Sequence, residues 1–244
     1  MHIHSELKED GPVVLLTHGF AASSHMFAST VQALAPDHTA IAWDMPGHGR
    51  SDAPDDPSAY STRRFLDHML ALIDGAGAEQ AVVLGHSLGG YLSLELALAH
   101  PDRVRGVVLV DTGPGYRNDV ARDGWNEMAT DYAVNLETKG LDGLPGGAEL
   151  SRGVHSSAVG LAHTARNVLT QRDSHVIDGL PTITAPTLVV VGSDDAPFVK
   201  GSHYMAGKVP QAELVVIDGC GHAPPVTHPE PFNVALRAYL EGLR

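Results

Sequence analysis

The stretch Ala81–Gly90, AVVLGHSLGG, decides how this chain is read. Its first four residues, Ala81–Leu84, form a short continuous apolar run of the kind found in a buried strand. From Ser87 to His100 the chain is rich in Leu and Ala at helical spacing and stops before Pro101. Gly85-His86-Ser87-Leu88-Gly89 is therefore G-x-S-x-G set at a strand-to-helix junction. A serine hydroxyl is a weak nucleophile until it is exposed beside a base. A sharp turn at this junction lifts Ser87 above the sheet edge in a strained conformation, and β-carbons at 85 and 89 would clash across it. The helix N-terminus also offers free N–H groups where negative charge would develop. Ser87 is the candidate nucleophile.

The rest of the chain repeats the same alternation. Val13–Thr17, Thr39–Trp43, Val104–Val110, Thr187–Val191 and Glu213–Ile217 read as further strands. Most are continuous apolar runs, the signature of strands covered on both faces. Thr62–Gly75 and Pro229–Leu243 read as amphipathic helices. The order predicts an α/β fold, a doubly wound and mostly parallel sheet. Between Gly113 and Thr184 there is no convincing strand. Trp125, Met128 and Tyr132 lie in one helical pattern there, LPGG follows at Leu144–Gly147, and Ala158–Leu169 reads as another helix. A helical cap over residues 113–184 is expected, inserted into a core of residues 1–112 and 185–244, because long structureless loops are uncommon in compact domains.

Composition narrows the function classes. The 244 residues are 43% apolar and 18% charged, which suits a globular enzyme. A formal net charge of -13 disfavours nucleic acid and anionic membrane surfaces as partners. One cysteine, Cys220, allows no intramolecular disulfide, and a cytoplasmic location is expected. Met1–Gly11 shows no apolar core of a signal peptide, and no run approaches the roughly 18 apolar residues that span a bilayer.

Three further strand ends carry chemistry. His18-Gly19-Phe20 follows Val13–Thr17, and the N–H groups of Phe20 and Leu88 are the candidate donors to an oxyanion. Gly192-Ser193-Asp194-Asp195 follows Thr187–Val191, and Gly219-Cys220-Gly221-His222 follows Glu213–Ile217. All sit at the carboxyl edge, where open α/β sheets place their sites. The chain holds 15 histidines, so His222 is selected by position and not by residue type. A base needs a carboxylate to fix its tautomer, and Asp111, Asp194 and Asp195 all lie near strand ends.

Taken together, these segments resemble the α/β-hydrolases. The matching pieces are HGF at His18–Phe20, DMPGHGRSD at Asp44–Asp52, GHSLGG at Gly85–Gly90, GSDD at Gly192–Asp195 and GCGHAPPVTHPEPF at Gly219–Phe232. The resemblance implies a Ser87–Asp195–His222 triad in the order Ser…Asp…His, with Asp111 in reserve as the alternative acid of some members. It implies that His48 and Arg50 hold a structural loop, and that the insertion is a cap whose Trp125 and Met128 are candidates to line the pocket. Ser87 stands where haloalkane dehalogenases and most epoxide hydrolases have Asp. Ala223 stands where carbon–carbon hydrolases often have Trp. The expected activity is hydrolysis of a small-molecule carboxylic ester or lactone. A thioesterase, a carbon–carbon hydrolase with the same triad, or a small-molecule receptor with slow turnover remain as alternatives. No cofactor and no metal are expected. Only about ten residues precede Val13, so the leading antiparallel strands should be reduced to one over His2–Leu7; His2 and His4 share a face there as edge residues.

Overall fold

The computed structural model describes residues 1–8, 11–144, 146 and 154–243. Seven strands form one sheet: β1 (Ser5–Lys8), β2 (Val13–Thr17), β3 (Thr39–Trp43), β4 (Ala81–His86), β5 (Val104–Val110), β6 (Thr187–Gly192) and β7 (Ala212–Ile217). Their order across the sheet is β1-β3-β2-β4-β5-β6-β7. Only β1 runs antiparallel, pairing Ser5 with Trp43 and Lys8 with Ala40. The expected doubly wound sheet is thus present, with the leading strand at Ser5–Lys8 in place of His2–Leu7. Residues before Ser5 instead stitch to the loop after β3, where Asp44 N–H donates to His4 O at 2.9 Å and Asp52 N–H to His2 O at 3.0 Å.

Every residue of β2, β4 and β6 is buried, which is why these strands read as unbroken apolar runs. The two-residue pleat still sorts them. Leu15, Val83, Leu109 and Val189 face one layer, where α2 (Thr62–Gly75) brings Phe65 and Met69 and α3 (Leu88–Ala99) brings Leu92 and Leu96. Leu16, Leu84, Val108 and Val190 face the other, against α1 (Ala28–Leu34) with Val31 and Leu34, and a C-terminal helix, Pro229–Gly242, with Phe232 and Leu236. Edge strand β7 is half-exposed, with only Ile217 buried.

Between β5 and β6 the described residues contain helix and no strand. The 21-residue α4 (Asp119–Lys139) starts at Asn118, whose Oδ1 accepts from Ala121 N–H at 3.0 Å, and stops at Gly140, which has φ +61°. Then come α5 (Ala158–Thr164), running into a π-turn at Ala165–Leu169, and the short α6 (His175–Gly179). Ala129, Ala133 and Leu136 of α4 and Leu161 of α5 pack into the same apolar cluster as the α2–α3 layer. Of the expected LPGG turn, residues 145 and 147 lie outside the described residues. After β6 come α7 (Ala196–Ala206), α8 (Pro224–Thr227) and α9, the C-terminal helix just described. No helix among the described residues is long and apolar enough to cross a membrane.

Chain order along the sheet reverses at β2: β3 lies to one side of it and β4 to the other. The carboxyl ends of β2 and β4 therefore border a crevice at the switch point, where α/β sheets bind ligands.

Candidate active site

Ser87 occupies the turn between β4 and α3 with φ +50° and ψ −115°, a region that L-residues rarely adopt. The turn closes because its neighbours lack side chains. A β-carbon on Gly85 would fall on the Gly89 carbonyl, and one on Gly89 would fall on the carbonyl of Thr17. The main chain is pinned by Ser87 N–H donating to Val110 O at 2.9 Å and by Thr112 Oγ donating to Ser87 O at 2.7 Å. Among the described residues, no hydrogen bond draws on the N–H of Leu88, the first residue of α3, or on that of Phe20. Gly19 lies against the His86 ring and the Ser87 β-carbon. The segment His18–Phe20 therefore packs directly on the turn bearing Ser87.

Asp195 and His222 meet across the edges of β6 and β7. The Ser193 N–H donates to Ile217 O and the Asp194 N–H to Cys220 O, both at 2.9 Å, which stitches the turn after β6 to the loop after β7. Gly192 permits this approach, since a β-carbon there would strike the carbonyls of Cys220 and Gly221. As a result His222 Nδ1 lies 2.8 Å from Asp195 Oδ2. Asp195 is only 5% exposed. Its neighbour Asp194 is exposed and its Oδ1 accepts from Ser193 Oγ at 3.1 Å. The turn after β6 thus aims Asp195 into the site and leaves Asp194 to solvent.

The His222 ring is flanked by two others. Phe198, from α7, stacks on it at 4.8 Å and 28°, and His86 lies 4.8 Å away at 58°. Burial pushes the His86 imidazole down to about 3, so it is neutral. Its Nε2–H donates to the His222 carbonyl at 2.6 Å. His86 thus ties the loop of His222 to the residue before Ser87. In the sequence it occupies the unspecified position of G-x-S-x-G, and nothing there marks it as a strut. Phe198 carried no motif either.

The loop after β3 supports Phe20. Asp44, fully buried, accepts from Ser24 N–H at 2.6 Å and from Arg50 N–H at 2.9 Å. His48 and Arg50, expected to hold this loop, are both in it: His48 Nδ1–H donates to Pro46 O at 3.1 Å, and the Arg50 guanidinium reaches Glu6 at 2.6 Å. Burial brings His18 down to about 4, and its Nδ1–H donates to Gly19 O while Nε2 accepts from Met45 N–H. His155, from the segment between α4 and α5, accepts from Gly49 N–H at 3.0 Å and donates to Ala21 O at 2.9 Å. The Phe20 ring stacks on Tyr132 of α4 at 5.9 Å.

A cavity of about 350 Å³ opens at Ser87. Trp125, Leu169 and Ile177 of the inserted helices and Phe198 and Tyr204 of α7 line it. Trp125 is anchored by its Nε1–H, which donates to Leu169 O at 2.8 Å. Met128, three residues further along α4, is half-buried and does not line the cavity. Among the described residues, Asp111, Asp195 and His222 form a cluster of metal-ligating types, with atoms within 4.8 Å of one another. Within it, His222 Nδ1 is engaged with Asp195 Oδ2.

Known proteins resemble this chain in sequence and fold. The α/β hydrolase fold family model matches residues 12–138. A protein named as a carbamate hydrolase, RutD, from Pseudomonas syringae pv. syringae is 30% identical, over 97% of this chain and 96% of its own. A pimeloyl-[acyl-carrier protein] methyl ester esterase from Xanthomonas campestris pv. campestris is 28% identical, over 99% of this chain and 100% of its own. A thermophilic esterase from Thermogutta terrifontis superposes with a TM-score of 0.87 at 25% identity, covering 99% of this chain and 93% of that one. With the switch-point crevice, the turn of Ser87 and a family match across more than half its length, the chain belongs to the α/β-hydrolase fold family.

Proposed function

We propose that the protein is a serine hydrolase that cleaves a carboxylic ester or lactone through an acyl-enzyme. Ser87 Oγ attacks the carbonyl carbon while His222 takes the hydroxyl proton. Asp195 accepts the Nδ1–H of His222, which leaves the Nε2 lone pair to act as base and stabilises the imidazolium that forms. The N–H groups of Phe20 and Leu88 receive the oxyanion. His222 then gives its proton to the leaving oxygen, and water repeats the sequence in reverse to release the acid and restore Ser87. The observation that carries this reading is the 2.8 Å contact between His222 Nδ1 and a buried Asp195, on loops that His86 ties to the turn of Ser87. Relatives named for ester and carbamate hydrolysis agree with an attack on an acyl carbon. Residues 113–184 act as the cap, selecting the acyl group through Trp125, Leu169 and Ile177.

A fluorophosphonate probe tests the assignment. It should label Ser87, located by peptide mass spectrometry. Ser87→Ala should stay folded and lose on the order of 10⁴ to 10⁶ in kcat on a p-nitrophenyl ester. Labelling of another serine, or a folded Ser87→Ala protein with normal turnover, would refute it. A panel of esters, lactones, thioesters and carbamates ranked by kcat/KM then identifies the acyl class, and no turnover of any of them would favour a receptor.

A further inference from the structure

The chemistry above leaves Asp111 without a task. It follows the last residue of β5, is fully buried, and has φ +43°, a conformation that Asp and Asn tolerate better than most residues. Its N–H donates to Val190 O at 3.0 Å, and its Oδ1 accepts from Gly192 N–H at 2.9 Å. The other oxygen, Oδ2, is equally buried and receives no donor among the described residues. Beside it stand Asp195 and His222, with ligating atoms of all three within 4.8 Å. Cys220 and Asp194, on the adjoining turns, are the other titratable groups nearby; burial raises the Cys220 thiol, which keeps it neutral.

Two buried carboxyl groups with oxygens within 4.8 Å of each other repel when both are charged, which favours a proton on one of them. Asp195 has the imidazole N–H as its partner. Among the described residues, Asp111 has only the Gly192 N–H. The proton therefore falls to Asp111, whose unfilled Oδ2 belongs to the same buried cluster as the Asp195 carboxylate. Burial, with Asp195 adding to it, pushes the Asp111 carboxyl well above the ordinary carboxylate range, in the same direction as the geometry.

We propose that Asp111 is un-ionised at neutral pH and donates its carboxyl O–H to the Asp195 carboxylate, which makes it a positioning residue for the Asp195–His222 pair. The bond fixes the carboxylate that orients the imidazole and disperses part of its charge. Its effect on turnover rests on the triad reading given above; its effect on stability does not.

Asparagine provides the test. Asp111→Asn keeps an oxygen for Gly192 N–H, tolerates the backbone and offers an N–H in place of the O–H. Asp111→Ala removes the donor. The alanine variant should lose about 10- to 100-fold in kcat with KM unmoved, and asparagine should restore most of it. Thermal melts give an independent readout. The folded wild type holds the Asp111 proton above the pH at which the unfolded chain releases it, so its stability falls as pH rises through that window. The melting temperature of the wild type should therefore drop relative to Asp111→Asn between about pH 5 and pH 8. If Asp111→Asn lowers turnover at least as far as Asp195→Asn does, Asp111 acts as an ionised acceptor and the proposal fails. It fails equally if the two melting curves run parallel across that range. Should Asp111→Ala not fold, the asparagine comparison decides alone. If Ser87→Ala and Asp195→Asn keep normal turnover, the triad reading is what fails, and diverging melts would still support the proton on Asp111.

Discussion

Replacing Asp195 by Asn probes the proposed triad with the smallest change of shape. The acid is 5% exposed and its Oδ2 lies 2.8 Å from His222 Nδ1, so the contact is a desolvated, charge-assisted hydrogen bond. If the amide oxygen takes the place of Oδ2, the bond survives but loses its charge. The difference between charged and neutral bonds is about 1 to 1.5 kcal/mol, or roughly 10-fold in rate. If instead the amide NH2 turns toward Nδ1, the ring is forced into the tautomer with its proton on Nε2 and cannot act as base. That outcome costs up to about 10⁴ in kcat, near 5.5 kcal/mol. Asp195→Asn should fall between these bounds. Asp194→Asn removes only the charge from an exposed acceptor of Ser193 Oγ and should stay within about 2-fold of wild type. The assay is kcat/KM for one p-nitrophenyl ester across pH 5 to 9, at equal folded fraction checked by circular dichroism. A larger loss at Asp194 than at Asp195, or an Asp195→Asn enzyme at wild-type rate, would refute the reasoning.

Two other outcomes follow from the same geometry. Trp125→Ala removes the indole that lines the cavity and should shift preference toward bulkier acyl groups by on the order of 10-fold in relative kcat/KM; one common factor for every ester would argue against a selecting role. His86 and His18 are neutral because burial brings them to about 3 and about 4, below the unfolded value near 6.5. The unfolded chain therefore binds more protons in that window, and stability present above pH 6.5 is lost as pH falls. Each group should cost roughly 2 kcal/mol at pH 5 relative to pH 7. Urea melts of wild type and His86→Gln at the two pH values isolate one group: the variant should lose about 2 kcal/mol less than wild type on going from pH 7 to pH 5.

The element pattern was legible because it is local. Continuous apolar runs gave away β2, β4 and β6, since a strand covered on both faces has few polar positions to spare, and β5 follows the same pattern after its exposed Arg105. The strand–turn–helix setting of Gly85–Gly89 announced the strained turn before any fold was known. Local pattern failed where packing alone supports an element. Helix α7 carries Pro197 near its start and Gly201 in its middle, poor intrinsic helix formers, and it went unread; Ser202 and Met205 hold it by burial. Helix α1, seven residues long, is likewise too short to show a period.

The site divides along the same line. Sequence order and the family resemblance put Ser87, Asp195 and His222 at three strand ends, yet adjacency along the chain cannot tell Asp195 from Asp194 by contact. That distinction comes from the pairing of the β6 turn with the loop after β7, which turns one carboxylate inward and the other outward. Similarly, Trp125 reached the cavity and Met128 did not, though both lie on one helical pattern. Asp111, His86 and Phe198 acquire meaning only from neighbours brought in by the crossovers; Asp111 and Gly192 are 81 residues apart. Periodicity and turn chemistry are set by interactions within a few residues, so the chain alone determines strands, helices and the strained turn. Burial, proton sharing and cavity shape are set by contacts between segments distant in sequence, and only the folded sheet decides those.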